Sequence, residues 1–484
     1  MLRRAVLLTA LVGAFLIASG QALAIPVNAC NTVISASGAY QLVTNLNCPA
    51  GTAITISADA VNLDLAGHRV SGQGTGLVGI DVLGGSDDVL IFGPGTIRGF
   101  DVGIEGGACG AVVPPITDTD NLTIDNVIVR DSGSDGIRLC TSEGDAQVRF
   151  SRVIGGLRGI DTAGGIFGSA GSVEINQSLV RDTTFGILVG PTDFGSTSVL
   201  GTTVQNASGT AVAVSLGGNG AASAEISDST VDGCGSCLRG ITVSGQGNAV
   251  IARTTVRTVD EEGIAVSGGG PIGVTIEDST VGLVGGSPFF DGAILIQNLG
   301  LDSAVGILST AVRNVTGGPG IHLICADGVG VHDSLVRNAG GDGIAIDDAA
   351  PAGSPCTAGR VSQADVVTGT LVRGSGGNGI SIAAGRGYTL MDNVALGSGL
   401  DGFLIGSAVT ESLLTHNLAR DSGDDGFQLD SADLELTDNV AGRNAGYGYE
   451  TNFAGPVLAD NGNTAANNAA GNCSDPSDLP ATTC

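Results

Sequence analysis

The chain has 484 residues, among them 81 Gly, 14 Pro and no Trp, and 42% of it is hydrophobic. No strict Gly-X-Y period is present, which excludes collagen, and the hydrophobic content excludes a disordered low-complexity chain. All 20 basic residues are Arg, against 48 acids, for a net charge of −28; this argues against nucleic acid as a partner, because the surface lacks the basic groups that displace its counterions.

Residues 1–24 read as a signal peptide. Arg3 and Arg4 precede an apolar stretch from Ala5 to Ala18, and Ala22-Leu23-Ala24 is a small-residue cleavage site. The expected mature chain starts near Ile25 and is secreted or periplasmic. No later stretch reaches ~18 uninterrupted apolar residues, so no membrane span is expected. Ten cysteines fit an oxidising compartment. Their order suggests local pairs: Cys30 with Cys48, Cys109 with Cys140, Cys234 with Cys237, Cys325 with Cys356 and Cys473 with Cys484. Order alone does not fix connectivity. Cys234-Gly-Ser-Cys237 lacks the βαβ context of a redox motif and reads as a staple.

Residues 25–60 read as an N-terminal cap, 61–460 as a repeat array and 461–484 as a C-terminal cap. The repeat is seen by comparing residues 127–139 (VIVRDSGSDGIRL) with 334–346, 370–382 and 417–429. Its marker glycine recurs at Gly136, Gly159, Gly186, Gly209, Gly240, Gly263, Gly292, Gly320, Gly343, Gly379, Gly402, Gly426 and Gly448, most often 23 residues apart. Each unit shows two short period-2 segments, such as Val274–Asp278 and Gly343–Ile346, the pattern of half-buried strands. Such units bury a face only by stacking. About fifteen turns at the ~4.8 Å strand spacing predict a rod of roughly 70 Å, and the crossover rule for parallel strands favours a right-handed coil. A polar column (Asn126, Gln177, Asp228, Thr254, Asp278, Thr310, Asp333, Thr370, Asn393, Asn417 and Asn439) is expected to point inward at a turn, where stacked side chains satisfy backbone groups.

These features, with Val61-Asn-Leu-Asp-Leu-Ala-Gly-His68, Gly79-Ile-Asp, Gly95-Thr-Ile-Arg-Gly99 and Gly103-Ile at the start, resemble the pectate-lyase-like superfamily, in particular its bacterial secreted branch with short parallel β-helix repeats. The resemblance covers roughly residues 30–472. It implies an all-β fold, a single-stranded right-handed parallel β-helix with capped ends. It does not specify function, since the fold hosts lyases, hydrolases, epimerases, tailspikes and adhesins. Members that act on uronate polymers work on one outer sheet face flanked by loops. The Asp-Asp motif of polygalacturonase-like enzymes has a match in Asp347-Asp348; their other motifs and the Asp-Pro-His-Glu of mannuronan-epimerase-like proteins have none.

In the Gly-Ile-x-Ile segment the x residue points outward, giving the column Arg138, Asp161, Leu188, Thr242, Ala265, Leu295, His322, Ala345, Ser381, Leu404, Gln428 and Glu450. His322 with Asp347 and Asp348 is the candidate catalytic group, because paired carboxylates share acid and base roles or hold Ca²⁺. Arg138 and Asp161 are candidate binding residues. A second Arg column (Arg130, Arg181, Arg257, Arg313, Arg337, Arg373, Arg420 and Arg443) lies before the marker glycine. Its plain reading is a charge-balanced turn; its sharper reading, centred on Arg313, Arg337 and Arg373, is a guanidinium stripe for carboxylate or sulfate on a polysaccharide. A third column mixes Asp125, Asn176, Ser227, Glu277, His332, Asp392, His416 and Asp438, and Asp424-Asp425 is one of several acidic turns; none has the spacing of a dedicated calcium loop. The expectation is a monomeric β-helix that binds or processes an acidic polysaccharide, with Ca²⁺ as the one candidate cofactor. The alternative is a non-catalytic structural or adhesive rod of the cell envelope.

Overall fold

The computed structural model describes residues 23–74, 76–107, 109, 119–140, 144–162, 171–192, 195–217, 222–233, 238–268, 270–285, 292–297, 299–300, 303–347, 364–453, 457 and 459–474. Nearly all of the expected signal peptide lies outside them, as do Asp348, Cys234, Cys237, Cys356 and Cys484.

The chain is a parallel β-helix. Each turn contributes three strands rather than the two expected. One turn runs through Val173–Asn176, Leu179–Arg181 and Phe185–Thr192, and each strand pairs in parallel with its counterpart one turn later (Val173 with Thr197, Leu179 with Thr203, Ile187 with Val212). We call the resulting stacks the first, second and third ladders. On this turn the middle strand is only three residues long, too short for a period-2 reading, and elsewhere in the ladder it reaches five, as in Leu335–Ala339. The third ladder stacks 18 strands. Fifteen of them, from Val78–Val82 to Tyr447–Thr451, match the expected number of turns. Thr32–Ile34, Ile54–Ile56 and Gly471–Cys473 continue the same ladder at its ends, within the segments read as caps.

The core is one continuous column of Ile, Val and Leu. Towards the C-terminus it becomes aromatic, with Phe403, Phe427 and Tyr449 stacked at centroid distances of 4.8 and 4.9 Å. The marker glycine is a matter of space. A Cβ at Gly343 would sit 2.1 Å from Val372 Cγ1 and 2.5 Å from the Gly379 carbonyl oxygen, closer than packed atoms approach. On two turns the position holds a buried Ala instead: Ala211 and Ala293 align with it, not Gly209 or Gly292.

The bend between the first and second ladders corrects the expected polar column, which mixed two registers. Asn126, Gln177, Asp228, Asp278 and Asp333 have φ between 46° and 55° and are exposed. They form the left-handed turn itself, a conformation that Asn and Asp tolerate best among residues with a side chain. The inward column is the next residue: Ser178, Thr202, Ser229, Thr254, Ser279, Thr310, Ser334 and Thr370, then Asn393, Asn417, Asn439 and Asn463, all buried. Its hydroxyls accept from the backbone N–H one turn earlier, as Ser178 Oγ does from Ser151 N at 3.2 Å. The Asn members do more. Asn417 Oδ1 accepts from both Asn393 N (3.1 Å) and Asn393 Nδ2 (3.0 Å), while Asn417 Nδ2 donates to the Leu390 carbonyl at 2.8 Å. The acid-and-His column splits in the same way. Asp125, Asn176, Ser227, Glu277 and His332 lie on the first ladder, whereas Asp392, His416 and Asp438 are turn residues with positive φ.

Two disulfides are as paired from sequence, Cys30–Cys48 and Cys109–Cys140. Cys325 and Cys473 are also disulfide-bonded. No helix among the described residues is long and apolar enough to cross a membrane.

Replacing Asn417 by Ala orphans two donors on Asn393 and the Leu390 carbonyl. Each buried group left unpaired costs about 1–3 kcal/mol, so Asn417→Ala should lower the urea midpoint by the equivalent of at least about 3 kcal/mol. Thr415→Ala, on the outer side of the same turn, should stay within about 0.5 kcal/mol.

Candidate functional site

The outer face of the third ladder collects the ionisable residues that the fold buries. Seven acids or histidines are buried among the described residues: Asp135, Asp161, Glu262, His322, Asp365, Asp401 and Asp425. Asp365 caps a strand by accepting from Val329 N at 2.8 Å. The other six lie on this one face, because two positions per turn point outward there: the residue before the marker glycine and the x residue. The x column aligns as read from the sequence, with Ala213 joining between Leu188 and Thr242.

Among the described residues three charged centres lie along the face, besides a separate ion pair of Arg239 with Glu262 at 2.8 Å. The N-terminal centre contains Asp81, Glu105, Arg138 and Asp161 in register on successive turns, flanked by Asp135 and Arg158. Arg138 and Asp161 are register partners, yet each has a closer mate. Arg138 Nε donates to Asp135 Oδ2 at 2.7 Å and its Nη1 lies 3.7 Å from Glu105; Asp161 accepts from Arg158. Burial raises the pKa of Asp81 and of Glu105, with Arg138 opposing the shift at Glu105. The two guanidiniums are therefore matched by four carboxylates before any ligand arrives.

The central centre is His322. Strand Ile321–Ile324 places it outward, and Asp347 reaches it from strand Ile344–Asp347 on the next turn, with Nε2 to Oδ2 at 2.8 Å. His322 is 5% exposed, between Leu295 and Ala345 in its column and near the small apolar cluster of Ala265, Leu295, Ile324 and Cys325. Its Nδ1 is buried without a hydrogen-bond partner among the described residues. A carboxylate on Nε2 favours the tautomer with the proton there and the lone pair on the buried Nδ1. Asp348, the third residue of the expected group, lies outside the described residues.

Sequence reasoning missed most of the C-terminal centre. Asp401 and Asp425 each precede a marker glycine, so they stack, and Asp424 stands beside them. One carboxylate oxygen from each of the three lies within 4.8 Å of the others. Burial, then repulsion from Asp424, Glu450 and Asp430, pushes Asp401 up to about 6, against a hydrogen bond from Asp425 N. Burial and a hydrogen bond with Glu450 push Asp425 up to about 7. The available signal was the recurrence of Asp-Gly-Phe at 401–403 and 425–427, one repeat apart. These three oxygens are the set best placed to hold a hard cation, although Ca²⁺ takes six to eight ligands and would need further oxygens.

No protein-family profile and no curated protein matches the chain. Among solved structures it is similar to a periplasmic alginate epimerase, AlgG, at 16% identity over 65% of this chain and 76% of that one, with a TM-score of 0.45. It is also similar to the A-module of a mannuronan C-5 epimerase from Azotobacter vinelandii (12% identity, 92% and 89% covered, TM-score 0.28) and to the tailspike of an E. coli bacteriophage in complex with a pentasaccharide (13%, 87% and 71%, 0.38). No residue role is carried across at these identities.

The C-terminal centre generates a pH dependence. Asp401 and Asp425 titrate higher in the folded chain than the ordinary 3.8. Their stabilising contribution is full below that ordinary value and is lost as pH rises through about 6 to 7. The thermal midpoint should therefore fall between pH 5 and pH 8, and Asp425→Asn should flatten that fall. Differential scanning calorimetry at both pH values reads it, and a slope unchanged in the variant would remove Asp425 as its source.

Proposed function

We propose that this protein is a secreted β-helix that binds and processes an acidic polysaccharide along the outer face of the third ladder, with His322 as the general base and Asp347 as the residue that orients it. The observation that carries this reading is the concentration of buried ionisable groups on one face out of three. Burying such groups is costly without a compensating role, and strongly perturbed ones cluster at functional sites. The ladder runs without a break past all three centres, so an extended chain could contact each of them.

A His held by a carboxylate in apolar surroundings suits proton abstraction next to a uronate carboxylate, the step shared by lyases and epimerases, better than hydrolysis, which needs two carboxyl groups flanking the scissile bond. Asp348 is assigned a supporting acid role beside this pair. Arg138 and Asp161 are assigned to the N-terminal end of this face, where carboxylates outnumber guanidiniums. Asp401, Asp424 and Asp425 would hold Ca²⁺, which would in turn neutralise a substrate carboxylate.

A second reading, a non-catalytic adhesive or structural rod, is favoured by one observation. Phe403, Phe427 and Tyr449, aromatic residues on the strands of the C-terminal centre, are stacked inside the core and offer no platform to a sugar.

The purified chain should bind a polyuronate more tightly in Ca²⁺ than in chelator and should release unsaturated or epimerised product. His322→Gln should reduce turnover by at least about 10²-fold, the scale of a general base, and Asp347→Asn should reduce it and shift its pH profile, both with an unchanged thermal midpoint. Binding without turnover, unaffected by either substitution, would favour the rod.

A further inference from the structure

The outer face of the second ladder carries a column of arginines; Arg98 at its N-terminal end and three consecutive members further along have no ion pair among the described residues. Arg98 and Arg130 are register partners, and further along the axis the column contains Arg181, Arg257, Arg313, Arg337, Arg373 and Arg420. Arg443 stands one residue past it, because Gly442 is the partner of Arg420. Most of the paired members lie against a carboxylate: Arg130 on Asp131 at 3.0 Å, Arg181 on Asp182 at 3.5 Å, Arg257 on Asp232 at 2.7 Å and Arg420 on Asp421 at 3.9 Å.

Arg313, Arg337 and Arg373 occupy three consecutive turns, each the direct register partner of the next. All three are exposed, and none has an ion pair among the described residues. The sequence explains the difference. The residue after each Arg is Asn314, Asn338 or Gly374 in place of Asp, and the following corner is Gly317-Gly318, Gly340-Gly341 or Gly376-Gly377 in place of acids. Asn338 Nδ2 donates to Asn314 Oδ1 at 2.9 Å, so these neighbours satisfy one another and leave the guanidiniums free. Asp342, the acid that follows Gly340-Gly341, is engaged with Asn378 N and Ser381 Oγ on the third-ladder side.

Three like charges held at the ~4.8 Å strand spacing repel one another. In a chain of net charge −28, the second-ladder face of these three turns presents cations, with Asp333 and Asp342 at the corners on either side of Arg337. Two positions before each Arg, on the same outward side, stand Ala311, Leu335 and Leu371, also in register. The surface is thus a half-buried apolar strip beside a row of guanidinium forks. The apolar strip suits the C–H face of a sugar ring, and each fork suits a carboxylate or sulfate bidentately.

We propose that Arg313, Arg337 and Arg373 form a docking site for an anionic polysaccharide with one acidic group on each successive sugar, separate from the third-ladder face and independent of any chemistry there. Its role is to hold a polymer, or a second stretch of the same polymer, on the side of the rod.

The test is binding of the full chain to polygalacturonate, to heparin and to neutral dextran. The wild type is compared with the triple variant Arg313→Gln/Arg337→Gln/Arg373→Gln, with Arg337→Lys and with Arg130→Gln, a carboxylate-paired control on the same column. Polygalacturonate should bind, dextran should not, and the triple variant should weaken binding by about tenfold or more, the scale of losing charge-assisted forks, with a smaller salt dependence. Arg337→Lys should weaken it less, and Arg130→Gln should leave it unchanged. Heparin binding more tightly than polygalacturonate would assign the site to sulfate rather than carboxylate. Binding equal in the wild type and a folded triple variant, or binding of neither polyanion, would overturn the proposal. Turnover that survives in the triple variant but fails in His322→Gln would separate this site from the third-ladder reading.

Discussion

Backbone hydrogen bonding between successive turns is the constraint from which the rest of the structure follows. Once each strand pairs in parallel with its counterpart one repeat away, like positions are stacked ~4.8 Å apart. Every residue type placed at a repeat position then becomes a column. A column of Val or Ile becomes core. A column of Asn bonds along its own length, as from Asn393 to Asn463. A column of glycine leaves room for the next turn's carbonyl. A column of like charges becomes an electrostatic problem, which must be relieved by a partner, a proton or a ligand.

The three charged features resolve that problem differently. At Asp81 to Asp161, arginines from the same face supply the counter-charge. At Asp401 and Asp425 the remedy is a proton retained towards neutral pH. The aromatic stack of Phe403, Phe427 and Tyr449 lies on the inner side of the same strands, so the carboxylates ride on a packed core and have little freedom to move apart. Along Arg313, Arg337 and Arg373 the column is left uncompensated by the described residues.

The fold was legible because glycine spacing reports the length of a turn directly, and the x column was legible because its register is tied to that glycine. The errors came from positions not tied to it. Asn126 and Asp278 look like members of the inward polar column, since two polar columns lie one residue apart, the turn rich in Asp and Asn and the inward one built of Ser, Thr and Asn. Only the left-handed bend shows that the inward residue is the next one, Val127 or Ser279. His322 and Asp347 could be brought together from the sequence because one turn separates them. Asp401 goes unmarked in the sequence, and Asp424-Asp425 reads there only as one of several acidic turns, for a different reason: an acid before glycine looks like an ordinary turn residue, and nothing in a single line of sequence shows that it is covered. The distinction within the Arg column depended on whether an acid lies beside each one, which is a property of neighbouring turns rather than of the motif.

The repeated turn also bears on how such a chain can change length. Each turn contacts mainly the one before and the one after it, so duplicating or deleting a whole unit of about 23 residues would restore every hydrogen-bonded register at the junction. A segment such as 371–393, which starts at a second-ladder position whose equivalent one turn on is Val394, is in this sense a removable module. Rod length could therefore be adjusted by recombination between repeats without redesigning the core.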